Sequence, residues 1–257
     1  MKIVACIKQV PDSEAKVKAE GGKVSWGDAP LVINPFDEYA MEGALQQKEA
    51  NGGSTVTALC IGPESAKEAL KHALAMGADE AILVSDPALN EVDTASAARI
   101  LAAAVQKIGD VDMVVFGRQT LDNGAGITPA QTARVLGWPM LGLAGQIKVR
   151  EGSVTVERVI EEGRQTVSAN LPAVVSVVQS IGEPRYPSFM GIRKASKANI
   201  PVWSLSDLGT SAQEPVVRRT EVLNPAVQQT SIEIITGETP AEIADKLADK
   251  LLAEKIL

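Results

Sequence analysis

Between Lys2 and Leu136 the chain repeats one pattern: a short apolar run, then a segment of helical spacing. Lys2–Lys8, Thr55–Ile61, Ala81–Val84 and Met113–Phe116 are the apolar runs. Phe36–Ala50, Glu64–Met76, Thr94–Ile108 and Thr128–Leu136 are the helical segments. The runs are continuously apolar rather than alternating, as in strands buried on both faces. Repetition of strand and helix in this way predicts an α/β fold, a doubly wound and mostly parallel sheet with helices on both sides.

After Leu136 the pattern changes. Gln146–Val149 and Val154–Val159 flank the turn signal Arg150-Glu151-Gly152-Ser153 and read as a β-hairpin. Thr166–Ala169 and Ala173–Val178 follow as strands separated by Leu171-Pro172. From Ile181 to about Pro240 periodic signals are few. A stretch that long without structure is unusual inside a compact domain, so it is expected to be an arm lying on another subunit. Thr239-Pro240-Ala241-Glu242 then gives a helix start, with Ile243, Leu247 and Leu251 on one face. The expected organisation is an α/β domain with its hairpin region over 1–181, and a loop, arm and C-terminal helix over 182–257.

A chain of 257 residues can bury a real core without disulfides. Lys and Arg number 25 against 32 Asp and Glu, a net charge of −7, which disfavours general nucleic-acid binding. No apolar run approaches the roughly 18 residues of a membrane span, so no direct membrane insertion is expected. No signal-peptide order of regions follows Met1, and a cytoplasmic location is expected. Cys6 and Cys60 lie in apolar runs and read as small buried hydrophobes in a reducing compartment. The lone His72 lacks the companions of a metal site, so no metal is expected.

A P-loop, a Gly-x-Ser-x-Gly elbow and a Cys-x-x-Cys pair are all missing, and no acid–base constellation stands out. No catalytic residue is expected, and binding is better supported. Gly117, Arg118, Gln119, Thr120, Leu121, Asp122, Asn123, Gly124, Ala125, Gly126, Ile127 and Thr128 form a Gly-rich loop between an apolar strand and a helix. Thr128-Pro129-Ala130-Gln131 reads as a capping box. Free N–H groups at such a helix start attract an anion, and glycines let a ligand approach the main chain. Phosphate binding and an ordinary βα turn both remain open on these residues alone. Asn34, Pro35, Phe36, Asp37 and Glu38 precede the first helix, on the sheet edge where ligands of open α/β sheets bind. A Pro-fixed turn is the plainer reading of them. Arg185, Arg193, Lys194 and Lys197 surround Tyr186, Phe189 and Met190. Either the apolar residues anchor a partner, or they tuck into their own core with the charges solvated.

Together these features resemble the β subunit of electron transfer flavoproteins over nearly the whole chain. The resemblance rests on Lys2-Ile-Val-Ala-Cys-Ile-Lys-Gln-Val-Pro-Asp12, Asn34-Pro-Phe-Asp-Glu38, Ala73-Leu-Ala-Met-Gly-Ala-Asp79, Gly117-Arg-Gln-x-x-Asp122 and Gly137-Trp-Pro139. It continues through Val156-x-Arg158-x-x-Glu161-Glu162-Gly163-Arg164-Gln165-x-Val167, Pro172-Ala-Val-Val-Ser176 and Glu183-Pro-Arg-Tyr186. Departures are Glu162 where the family usually has Gly or Asp, the Asn123–Ile127 stretch, and Phe189 where the docking residue is usually Leu.

The resemblance implies a Rossmann-like, adenine-nucleotide-binding type of sheet with an added hairpin region and an extended C-terminal arm. It implies a heterodimer with an α subunit that holds most of a shared, redox-active FAD, to which Phe36 adds a contact. It also implies an AMP site in this chain made of Cys6, Asn34 to Asp37, Ile61 and Gly117 to Thr128. Glu183-Pro-Arg-Tyr186 opens the family's recognition loop, in which Phe189 aligns with the docking residue. The implied role is an electron carrier, not an enzyme, fed by flavin-dependent dehydrogenases such as acyl-CoA dehydrogenases. One alternative is an electron-bifurcating subunit that oxidises NADH and holds a second FAD in place of AMP. Another is a stand-alone adenine-nucleotide sensor, against which the long arm and the capped last helix argue.

Overall fold

A computed structural model describes residues 1–89, 92–211, 215–217, 219–226 and 232–256. The strands are β1 (Lys2–Ile7), β2 (Gln9–Pro11), β3 (Lys18–Glu20), β4 (Lys23–Ser25), β5 (Leu31–Ile33), β6 (Thr55–Ile61) and β7 (Glu80–Val84). They continue with β8 (Met113–Gly117), β9 (Met140–Arg150), β10 (Ser153–Ile160), β11 (Gly163–Asn170), β12 (Ala173–Val177) and β13 (Val202–Trp203). The helices are α1 (Pro35–Ala50), α2 (Lys67–Met76), α3 (Thr94–Ile108), α4 (Thr128–Leu136), α5 (Phe189–Ala195) and α6 (Pro240–Ala253).

Nine strands form one sheet in the order β11-β10-β9-β12-β8-β1-β6-β7-β13. From β12 through β13 every pairing is parallel. The fold is thus α/β with a large, mostly parallel sheet. Strand alternation sorts the core: Ile3, Ala5 and Ile7 face a cluster with Met41, Leu45 and Leu70, from α1 and α2. Val4 and Cys6 face the opposite cluster with Ile100, Val105 and Ala133, from α3 and α4. Burial on both faces explains why the strands read as continuous apolar runs.

Several elements differ from expectation. The helical segment Glu64–Met76 opens with a 3₁₀ turn over Glu64–Ala66 before α2 begins. The hairpin is longer than the sequence suggests, because the first part of β9 pairs parallel with β12 and the last part antiparallel with β10. The hairpin therefore extends the main sheet, within the α/β domain. Residues 182–211 carry α5 and the two-residue β13, which pairs with β7. The first compact unit accordingly runs from Met1 to Val222, past the boundary expected at 181. Residues 212–214, 218 and 227–231 of the expected arm lie outside the described residues.

The second unit, Leu223–Leu257, is organised by α6. Thr239 caps it, accepting from Glu242 N at 3.2 Å, while Glu242 Oε2 accepts from Glu238 N at 2.9 Å. The Glu reaches one residue further back than a standard capping box. No residue of α6 is buried, including Ile243 and Leu247 of its apolar stripe.

Asp93 caps α3 in the first unit. Its Oδ1 accepts from Ser96 N at 2.8 Å and its Oδ2 from Val216 N at 2.7 Å. The Ser96 N–H bond, more than any other influence, holds the carboxyl down at about 2. A depressed carboxylate stabilises the fold above its ordinary range near about 4 and loses that contribution as the pH falls toward 2. Asp93→Ala should lower unfolding free energy by about 1 kcal/mol at neutral pH in a urea titration, with the difference vanishing in acid. An Asp93→Ala protein as stable as the parent at pH 7 contradicts the cap.

Candidate functional site

From β1 the chain winds outward through β6 and β7, then returns to lay β8 on the other side of β1. The C-terminal ends of β1 and β8 are the point where the winding reverses, the usual ligand crevice of an open α/β sheet. On that edge Ile61 ends β6 and Cys6 is the next-to-last residue of β1, beside Phe116 of β8 and Leu59 of β6. Gly117 is the last residue of β8, and the Asn34–Asp37 turn starts α1 on the same edge.

Asn34 is fully buried. It stands at the N-cap of α1 but makes no side-chain cap bond. Its Nδ2 instead donates to the Gln119 carbonyl at 2.9 Å, and its Oδ1 accepts from Leu121 N at 3.1 Å. Its own N–H donates to the Lys8 carbonyl at 2.8 Å. One residue therefore ties the Gly-rich loop to the start of α1 through its side chain, and the residue after β1 to that start through its backbone.

Asp37 adds a second tie. Its Oδ2 accepts from Lys8 N at 2.9 Å, and the Gly117 N–H also donates to its carboxylate. Burial is the largest influence on this carboxyl. It outweighs the bonds from Asn34, Lys8 and Gly117 and pushes the group up to about 7. Gly117 is required by this packing: a Cβ there would lie 2.5 Å from the Phe36 carbonyl oxygen and 2.6 Å from Asp37 Oδ1. Its small size serves the contact with α1.

The loop itself is built by Asn123, whose Oδ1 accepts from Thr120 Oγ1 at 3.0 Å and Ala125 N at 3.3 Å. Gly124 and Gly126 take positive φ of 61° and 64°, a backbone that disfavours larger residues. Lys8 Nζ pairs with Asp122 Oδ2 at 2.5 Å. Asp122 Oδ1 is buried with no hydrogen-bond partner among the described residues. An unmet carboxylate acceptor at a ligand crevice suits a hydroxyl donor such as a ribose offers. Arg118 is exposed, as are Leu121 and residues 123–127. Ile127, rather than Thr128, occupies the N-cap of α4, in αR geometry and without a side-chain cap bond. The capping box expected at Thr128 is therefore not formed, because the Gln131 N–H already bonds the Ile127 carbonyl.

Neither thiol offers a nucleophile. Burial, then Asp37 and Cys60, pushes Cys6 well above the ordinary thiol range, and burial pushes Cys60 up to about 12. His72 lies within 2.9 Å of Glu38 on the outside of α1.

The third predicted feature, the basic loop, is distant in sequence. Tyr186, Phe189 and Met190 are 94%, 80% and 70% exposed, so they do not tuck into the chain's own core. Ile192 is exposed beside them, which the sequence reading missed. Phe189 opens α5, and Ser188 caps that helix by accepting from Gly191 N at 2.9 Å. Arg193, Lys194 and Lys197 are exposed and have no ion pair among the described residues. Arg185 differs from them. It is bound within the chain, bidentate to Glu42 and also paired to Glu49. Burial pushes Glu42 up, but hydrogen bonds from Arg185 and Gln46 outweigh it and hold the carboxyl below its ordinary range. Lys8, Glu42 and Glu49 were not picked out from sequence. Only the i, i+7 spacing of the two glutamates on one helix face hinted at a shared partner.

The fold defines an α/β protein with a large, mostly parallel sheet, a crevice at the switch point of its winding, and a short helix, α5, whose apolar side chains are exposed. The family model described as the electron transfer flavoprotein domain matches residues 27–208. Among curated relatives, the caffeyl-CoA reductase–Etf complex subunit CarD of Acetobacterium woodii is 35% identical over 100% of both chains. The electron transfer flavoprotein β subunit of Mycobacterium leprae is 37% identical over 99% of both, and that of Megasphaera elsdenii 33% identical over 100% of both. The chain belongs to the electron transfer flavoprotein family, as a β subunit.

The raised Asp37 has a clear pH signature. A carboxyl that keeps its proton up to about 7 when folded, against about 3.9 when unfolded, weakens the fold as pH climbs between those values. Relative to Asp37→Asn, the parent protein should lose stability from pH 4 to pH 7 in denaturant titrations. A difference that stays flat across that range contradicts the assignment.

Proposed function

We propose that this chain binds AMP in the β1/β8 crevice and, with an α subunit, holds one FAD that takes electrons from a flavin-dependent dehydrogenase and hands them to an acceptor. The observation that carries the reading is the Gly-rich loop fastened across the crevice by Asn34, beside the unmet Asp122 Oδ1. Loop N–H groups and the first turn of α4 would take the phosphate, and Asp122 the ribose. Cys6 and Ile61 would line the floor beneath the nucleotide, and Phe36 would add a contact to the flavin. The flavin, when bound, supplies the electron chemistry; this chain contributes position, a dry crevice and a docking face. Two buried, unpaired cysteines suit a reducing, cytoplasmic setting.

The docking face of this reading is Tyr186, Phe189 and Met190, ringed by Arg193, Lys194 and Lys197, with an acyl-CoA dehydrogenase as the kind of partner. An apolar anchor fills the centre of such a contact and the surrounding charges speed encounter. The exposed stripe of α6 is proposed to lie against the α subunit.

A second reading is favoured by one relative. A chain 35% identical along its full length is named as a subunit of a reductase–Etf complex. In that reading a second FAD replaces AMP and NADH is the donor. Acid extraction of the purified heterodimer decides: one FAD and one AMP are expected, whereas two FADs and no AMP establish the second reading. Val at both 124 and 126 should empty the AMP site, since neither positive-φ position tolerates a β-branched residue. Full AMP occupancy in that variant contradicts the loop assignment. Phe189→Ala should slow electron transfer from an acyl-CoA dehydrogenase about tenfold or more at limiting carrier. It should leave the flavin spectrum and dithionite reduction unchanged; unaltered transfer contradicts the anchor.

A further inference from the structure

After β12 the chain crosses α1 before it reaches α5, and three contacts hold it there. Gln46 Nε2 donates to the Ile181 carbonyl at 3.1 Å. The Arg185 backbone N–H donates to Glu42 Oε2 at 3.2 Å. The Arg185 guanidinium then closes on two carboxylates: Nε to Glu42 Oε2 at 2.8 Å, Nη2 to Glu42 Oε1 at 3.0 Å, and Nη1 to Glu49 Oε1 at 2.5 Å. Glu42, Gln46 and Glu49 stand at i, i+4 and i+7, so one face of α1 supplies a partner for each of these bonds. Glu42 is 5% exposed and has its Arg185 partner as its main source of compensation. A planar guanidinium locked bidentate on a buried carboxylate is committed to that place, unlike a solvated rim charge.

Further along, α5 rests directly on α2. A Cβ at Gly191 would collide with the Ala75 carbonyl oxygen, so only glycine allows this approach. Between the Arg185 pin and the Gly191 seat, Tyr186 and Phe189 stand free. Held at both ends, the segment need not be ordered when a partner binds, which removes an entropic penalty on association.

We propose that Arg185 is a positioning residue: its guanidinium ties the root of the docking segment to Glu42 and Glu49 of α1 and so presents Phe189 to the partner in a fixed place. The inference rests on the docking role proposed for Phe189. It assigns Arg185 a task different from that of its basic neighbours, and it extends the docking machinery to two acidic residues.

Opposite charges make the test sharp. If Arg185 were a rim charge, Glu42→Gln would add to the positive face and leave transfer equal or faster. If Arg185 is a pin, Glu42→Gln and Arg185→Gln should do the same harm, and the double variant no more than either alone. The flavin-loaded heterodimer is compared in five forms: parent, Arg185→Gln, Glu42→Gln, the double variant carrying both, and Phe189→Ala. Amide exchange is read over 186–196, and electron transfer from an acyl-CoA dehydrogenase at low and high salt. Both pin variants should exchange about tenfold faster over 186–196, since each loses charged hydrogen bonds that hold the segment closed. Both should slow transfer at either salt concentration with the salt slope unchanged. Arg185→Lys should recover part of the protection, because an ammonium pairs without the bidentate geometry. Unchanged exchange in Glu42→Gln, or a flattened salt slope in Arg185→Gln with protection intact, overturns the proposal. If Phe189→Ala leaves transfer unaltered, the docking role fails, and exchange alone still decides whether Arg185 pins the segment. Should Glu42→Gln fail to assemble, Glu49→Gln removes the exposed half of the clamp and should raise exchange by a smaller factor.

Discussion

One buried carboxamide holds the functional edge of this protein together. Asn34 reaches from the start of α1 to the main chain at Gln119 and Leu121, joining segments 85 and 87 residues apart in sequence. A buried amide with both ends satisfied is inexpensive to keep, but one left without partners costs about 1–3 kcal/mol. The Gly-rich loop has few other ties to the sheet. Asn123 shapes its turn, Lys8 pairs with Asp122, and its tip is exposed. Asn34, Asp37 and Gly117 together decide how close α1 and the loop can come. The crevice between β1 and β8 has the width that those three contacts leave.

Helix α1 anchors two segments with one rigid body. Its first residues set the loop, and its outer face holds the segment that leads to α5. Charge is divided along the same lines. The chain carries a net charge of −7, yet the exposed end of α5 and the residues after it are basic. On an acidic protein, a cationic face around exposed apolar side chains favours encounter with a partner of opposite charge.

Most of the sheet was legible because burial on both faces writes a continuous apolar run, and each strand and helix of the first half is local in sequence. What escaped depended on distance. The Arg185–Glu42 pair spans 143 residues and leaves no periodic mark, so Arg185 looked like one more surface cation. β13 is two residues long and forms only because β7 offers a free edge. β9 was read short because its first part pairs with β12 and not with its hairpin partner. The Thr128 capping box did not form because the N-cap of α4 fell one residue earlier, at Ile127. At the crevice, the Gly-rich loop and the Asn34–Asp37 turn were both visible as motifs. That a single amide joins them was not, since hydrogen bonds between two loops follow no spacing rule.

The most direct test of this account is the nucleotide content of a heterodimer carrying Asn34→Ala. Loss of the carboxamide leaves the Gln119 carbonyl and the Leu121 N–H without their buried partner and frees the loop. The account predicts a several-fold fall in extracted adenine nucleotide with the far-ultraviolet circular dichroism of the α/β fold retained. Full occupancy in Asn34→Ala would show that the loop holds its ligand without Asn34, and would contradict the claim that this residue builds the site.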